Sequence, residues 1–131
     1  MKAKKFGKGY WKKFSEGIQR EWVITNGIGG YAGSSITGAH NRTHQGYLIA
    51  SLKAPVNRYV CFSKTNEKVN AMNNEYDLTT SMYKGGKIKD GNKFLSKFTY
   101  DGTICYTYNL NNITVKKHIS LVQGKNISAI G

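Results

Sequence analysis

Ile104-Cys105-Tyr106-Thr107-Tyr108-Asn109-Leu110-Asn111-Asn112-Ile113-Thr114-Val115-Lys116-Lys117-His118-Ile119-Ser120-Leu121 decides the fold of this 131-residue chain. Ile104, Tyr106, Tyr108 and Leu110 fall on one side of an extended segment, because successive side chains of a strand point to opposite faces. Ile113, Val115, Ile119 and Leu121 share a side of the next segment, interrupted only by Lys117. Asn111-Asn112 supplies a two-residue turn between them, since asparagine tolerates positive φ. A hairpin is predicted here.

Working outward, Phe94, Phe98 and Tyr100 alternate against Leu95, Lys97 and Thr99, and the turn Asp101-Gly102 joins them to Ile104. Three strands in series then form a meander. Trp22 to Asn26, Gly46 to Leu52, Arg58 to Ser63 and Tyr76 to Tyr83 are strand-like in their β-branched and aromatic content, with turn residues between them. Only Tyr10 to Arg20 offers a short helix, and Gly17 weakens it. The reading is all-β, an antiparallel β-sandwich occupying residues 1–131 as one domain. Ile127-Ser128-Ala129-Ile130-Gly131 reads as a strand without a following turn, so the chain is expected to be a piece of a larger protein.

Composition sets the bounds. A chain of this length buries roughly two-thirds of its unfolded surface, and 39% hydrophobic residues fill such a core. A net charge of +13 raises the prospect of a polyanionic partner. Yet arginine, the preferred bidentate phosphate and guanine ligand, occurs only at Arg20, Arg42 and Arg58, and the lysines are spread along the chain. Nucleic-acid binding is therefore disfavoured. The basic N-terminus never becomes the apolar run of a secretory signal, and no stretch is long and apolar enough for a membrane helix, so a soluble cytoplasmic protein is expected. Cys61 and Cys105 lie in strand-like runs without C-x-x-C spacing, which favours free buried thiols over a disulfide between them.

The chemistry-bearing segment runs from Glu21-Trp22-Val23-Ile24-Thr25-Asn26-Gly27-Ile28-Gly29-Gly30-Tyr31-Ala32 through Asn41-Arg42-Thr43-His44-Gln45-Gly46 to Pro55-Val56-Asn57-Arg58. Its glycines match a dinucleotide fingerprint in form only. Gly33 to Gly38 are poor helix material, and no acidic residue follows at the ribose-binding distance. A tight strand-to-strand connection fits better. His40 and His44 lack further ligands nearby, no G-x-S-x-G elbow exists, and Asp90 and Asp101 precede glycines as turn residues do. No metal, no cofactor and no catalytic residue are expected.

These same residues, with Gly46-Tyr47-Leu48-Ile49-Ala50, Ser63-Lys64, Phe98-Thr99-Tyr100 and Val122-Gln123-Gly124-Lys125-Asn126, resemble the N-terminal domain of bacterial and archaeal glycogen debranching enzymes. The resemblance covers nearly the whole chain. It implies a supersandwich-like β-sandwich preceding an (α/α) barrel that hydrolyses α-1,6-linked glucosyl stubs, with both catalytic carboxylates in the barrel. This chain alone is then expected to be inactive, and its partners are the C-terminal catalytic domain and, through the parent enzyme, an α-glucan. The family usually reads Asn-Thr-Arg-Arg-Tyr-His-Gly where this chain has His40-Asn41-Arg42-Thr43-His44-Gln45-Gly46, which keeps the arginine and changes the Tyr-His pair to His44-Gln45.

Candidate substrate-binding or interdomain residues are Trp22, Asn26, Gly27, Gly29, Gly30, Tyr31, Asn41, Arg42, His44, Gln45 and Arg58. Amides and guanidinium groups match sugar hydroxyls, and aromatic faces cover sugar rings. The competing structural roles are a core anchor for Trp22, turn satisfaction for Asn26 and Asn41, and an ion pair of Arg42 with Glu21 or Glu67. Two other functions fit the composition. One is a freestanding carbohydrate-binding module with Tyr76, Tyr83, Tyr106 and Tyr108 as its platform; the other is a basic single-strand nucleic-acid binder.

Overall fold

The computed structural model describes residues 3–131. Strand β1 (Lys4–Gly7) is followed by a 3₁₀ turn at Lys8–Tyr10 and one helical turn at Phe14–Gly17. Strands β2 (Glu21–Thr25), β3 (Tyr31–Ser35), β4 (Gly46–Lys53) and β5 (Val56–Phe62) come next. Two small hairpins follow, β6 (Lys68–Ala71) with β7 (Asn74–Asp77) and β8 (Thr80–Met82) with β9 (Ile88–Asp90). The chain finishes with β10 (Leu95–Tyr100), β11 (Ile104–Leu110), β12 (Ile113–Leu121) and β13 (Ser128–Ile130).

Among the described residues every pairing is antiparallel, and besides the two hairpins there are two larger open sheets, in the orders β1-β10-β11-β12-β13 and β2-β3-β4-β5. One apolar cluster spans both, joining Trp22, Ile24, Ala32 and Tyr47 of the second sheet to Phe98, Tyr106, Tyr108 and Ile119 of the first. The architecture is the expected all-β sandwich. Its two layers are also bonded through the core: Trp22 Nε1 donates to Tyr106 Oη at 2.6 Å and to the Ser35 carbonyl at 3.1 Å, and Tyr106 Oη donates to that carbonyl at 2.8 Å. Each of these polar tips would cost about 1–3 kcal/mol if buried without a partner.

The meander forms as its alternation requires. Ile104, Tyr106, Tyr108 and Leu110 are at most 1% exposed, and the turns use Gly102 at φ +88° and Asn111 at φ +56°. Four details differ from expectation. A bulge between Leu95 and Lys97 shifts the register of β10, so Leu95 joins Phe98 in the core while Phe94 sits on the preceding 3₁₀ turn. The Tyr76 to Tyr83 segment breaks into β7 and β8, because Asp77 Oδ1 accepts the Thr79 N–H at 2.9 Å and turns the backbone. The Tyr10 to Arg20 helix shrinks to one turn. Neither cysteine is fully buried: both thiols are free, Cys61 on the exposed β5 and Cys105 half-buried.

Lys117, the apparent break in β12, points into the core. Its Nζ lies 3.2 and 3.3 Å from the two Glu67 carboxylate oxygens and 3.3 Å from Tyr47 Oη, and 4.9 Å from the centre of the Tyr106 ring. Burial pushes the ammonium pKa down, while the Glu67 carboxylate opposes that shift. The apolar side of the strand thus includes a buried ion pair.

Candidate functional site

The Thr25-Asn26-Gly27-Ile28-Gly29-Gly30 corner connects β2 to β3. Gly27 and Gly29 have φ of +82° and +92°, the left-handed region that favours glycine. At Gly29 the backbone of Pro55 would also stand only 2.7 Å from an added Cβ, so the corner packs directly on the turn between β4 and β5. Asn26 is fully buried and closes the corner: its Oδ1 accepts the N–H of Ile28 at 3.1 Å and of Gly30 at 2.9 Å. Its Nδ2 donates to the Lys125 carbonyl at 3.1 Å and to Asn126 Oδ1 at 3.0 Å.

Those last two acceptors belong to the loop between β12 and β13, a hairpin connection of the first sheet that reaches across to the second. Gly124 N–H donates to the Asn26 carbonyl at 2.6 Å, Gln123 Nε2 to the Thr25 carbonyl at 2.7 Å, and Asn126 Nδ2 to the Ser51 carbonyl at 3.2 Å. The corner and this loop form a latch between the layers.

A second group gathers around Glu21. Its Oε1 pairs with Arg42 Nε at 2.9 Å and accepts from Gln45 Nε2 at 2.9 Å. Gln45 is only 5% exposed, and its Oε1 accepts the N–H groups of Asn41 and Arg42 at 2.7 and 3.2 Å. Asn41 Nδ2 in turn donates to the Ile18 carbonyl at 2.8 Å. Arg42 is mostly exposed, so its pair with Glu21 is worth about 0–1 kcal/mol. The buried amide of Gln45 does more to fix the loop.

On the outer face of β3, Tyr31 Oη donates to the His44 carbonyl at 2.8 Å. Arg58 Nε donates to the Gly29 carbonyl at 2.8 Å with its guanidinium 5.9 Å from the centre of the Tyr31 ring. Three of the eleven candidates therefore meet in the Glu21 group, namely Asn41, Arg42 and Gln45, and four meet here, namely Tyr31, His44, Arg58 and Gly29. Asn26, Gly27 and Gly30 are spent on the latch, and Trp22 stands apart at 5% exposure in the core.

The tyrosine platform of the alternative reading does not form, since Tyr106 and Tyr108 are interior and only Tyr76 and Tyr83 reach solvent. The carboxylates are also occupied. Glu16, Glu21, Glu67, Glu75, Asp77 and Asp90 each pair with a lysine or arginine, and Asp101 Oδ1 accepts the Thr103 N–H of its own turn. Backbone and side-chain bonds from Thr79 and Lys89 outweigh desolvation and hold Asp77 below the usual carboxylate range.

Gln123 and Asn126 as latch residues, and Lys117 and Glu67 as a pair, are what sequence reasoning did not single out. The family-like string Val122 to Asn126 was the available signal for the first two. No curated protein and no solved structure matches the chain. A family model described as the glycogen debranching enzyme N-terminal domain matches residues 20–131, which takes in the corner, the Glu21 group and the latch loop. The chain belongs to that family.

Proposed function

We propose that this chain is the non-catalytic N-terminal domain of a cytoplasmic glycogen-debranching glycoside hydrolase. It packs on an (α/α) barrel elsewhere in the parent enzyme and shapes the cleft where that barrel cleaves α-1,6 branch points of an α-glucan. The family match over residues 20–131 carries this reading. Two physical features support it. Each of the seven acidic side chains makes at least one ion pair or turn bond, whereas a glycosidase needs two carboxyl groups about 5–9.5 Å apart facing an open cleft.

The second feature is strand β5. All seven of its residues are exposed, and Val56, Tyr59, Val60 and Phe62, with Leu52 of β4, present apolar surface at the open edge of the sheet. Apart from Arg58 this edge strand carries no charge and no internal proline, and an apolar edge of that kind invites pairing. In the parent enzyme this edge and the adjoining Tyr31, Arg58 and His44 face the catalytic domain. Val60→Lys with Tyr59→Lys in the full-length enzyme is expected to weaken domain docking, read as proteolytic separation of the two domains and a fall in debranching rate. Unchanged protease resistance and rate would remove β5 from the interface.

A further inference from the structure

The sandwich is open on one side, where edge strand β1 of the first sheet lies beside edge strand β2 of the second. A cleft of about 470 Å³ lies between them, within the range of small-ligand pockets. The cross-strand pairs Lys4 with Tyr100 and Phe6 with Phe98 set these four residues on the face of β1 and β10 that lines the cleft. Trp22 and Phe98 lie at its buried end, and Tyr100 Oη donates to the Val23 carbonyl at 3.2 Å across the gap. The walls are thus aromatic rings that belong to both layers.

Its mouth is polar. Arg20 stacks on the Tyr10 ring at 4.8 Å and gives one N–H to the Tyr10 carbonyl at 2.9 Å, which fixes the guanidinium while leaving further donors unused. Tyr10 is itself steadied edge-on by Phe6 at 4.8 Å. Glu21 spends Oε1 on Arg42 and Gln45, while its Oε2 has no hydrogen-bond partner among the described residues. Lys4 Nζ is likewise unpaired among them. The mouth therefore presents donors and an acceptor above aromatic walls.

The geometry points to a pyranose-binding cleft between β1 and β2, where one sugar ring lays its C–H face on the aromatic wall and its hydroxyls meet Arg20, Lys4 and Glu21. A sugar hydroxyl donates and accepts at once, which suits a mouth carrying both kinds of group. An anionic ligand would meet the Glu21 carboxylate, and a purely apolar one would leave Arg20 and Lys4 unused. The choice of glucose as the sugar rests on the glucan reading above; the cleft itself does not.

Titration of the chain with maltotriose, followed by tryptophan fluorescence, tests this because Trp22 lines the cleft. A saturable change is expected, weakened about tenfold or more by Tyr10→Ala combined with Arg20→Gln, a loss of the size that removal of a key contact brings. Lys4→Gln, on an exposed strand whose fold does not depend on it, should weaken binding by about threefold and keeps the test decisive if the double variant unfolds. Failure to saturate, binding unaffected by Lys4→Gln and by the double variant, or tighter binding of benzoate than of maltotriose would each overturn the proposal. None of these outcomes bears on whether the chain needs a catalytic domain for hydrolysis, so the two readings fail separately.

Discussion

Replacing Asn26 by alanine is the sharpest perturbation of the latch. The substitution deletes four side-chain hydrogen bonds, two accepted from Ile28 and Gly30 and two donated to Lys125 and Asn126. At about 1 kcal/mol net for each, the upper limit is about 4 kcal/mol. Water can reach the exposed Gly27 side of the corner and recover part of that, so the expected loss is about 2–3 kcal/mol. With a urea m-value of about 2 kcal/mol per molar, the unfolding midpoint should fall by about 1–1.5 M. Asn126→Ala removes one shared bond and the bond to Ser51, so it should cost about half as much.

The double variant distinguishes a latch from a generally fragile turn. Because Asn26 and Asn126 share a bond, their effects should fall short of additivity by about 0.5–1 kcal/mol. Urea unfolding followed by tyrosine and tryptophan fluorescence gives all four corners of the cycle. A midpoint shift below about 0.3 M for Asn26→Ala, or strict additivity with Asn126→Ala, would refute the claim that this corner ties the two sheets together.

Three further outcomes follow from the same structure. Glu67→Gln should destabilise by about 3 kcal/mol because it strands the buried Lys117 ammonium, whereas Lys117→Met should cost clearly less, as Glu67 retains access to water; denaturant midpoints in the reverse order would contradict the buried pair. His40 sits edge-on to Tyr47, and burial first, then Lys64 and Lys117, lower its pKa from 6.5 to about 4. The unfolded chain takes up a proton below 6.5 that the folded chain resists until about 4, so stability should fall through that window by about 1–2 kcal/mol after allowing for its partial exposure, and His40→Phe should flatten this part of the pH profile. Val60→Lys on the free edge of β5 should leave stability within about 0.5 kcal/mol and reduce concentration-dependent light scattering of the isolated chain, and unchanged scattering would show that this edge is not adhesive.

Much of the fold was legible because its strongest signals are local. The alternation from Ile104 to Leu121 and the Asp101-Gly102 and Asn111-Asn112 turns need no partner to be read. Leu95 was misplaced because a bulge changes the phase of a strand without altering its composition. Lys117 looked like a flaw in an apolar face since its partner, Glu67, lies 50 residues away. The same limit applied to the site. Arg42 with Glu21 was one of two pairs that the acidic inventory allowed, and the glycine corner was readable as a turn. The bonds from Asn26 to Lys125 and Asn126 span about 100 residues, and only the folded sandwich brings them together.

The most direct test of the central claim, that this domain is a scaffold whose parent enzyme performs the hydrolysis, is glucose release from a branched limit dextrin by the purified 131-residue chain. No release above buffer is expected from the chain alone, with release appearing once the catalytic portion of the parent enzyme is joined to it. Sustained glucose release by the chain on its own, lost on replacing one of its carboxylates, would contradict that claim.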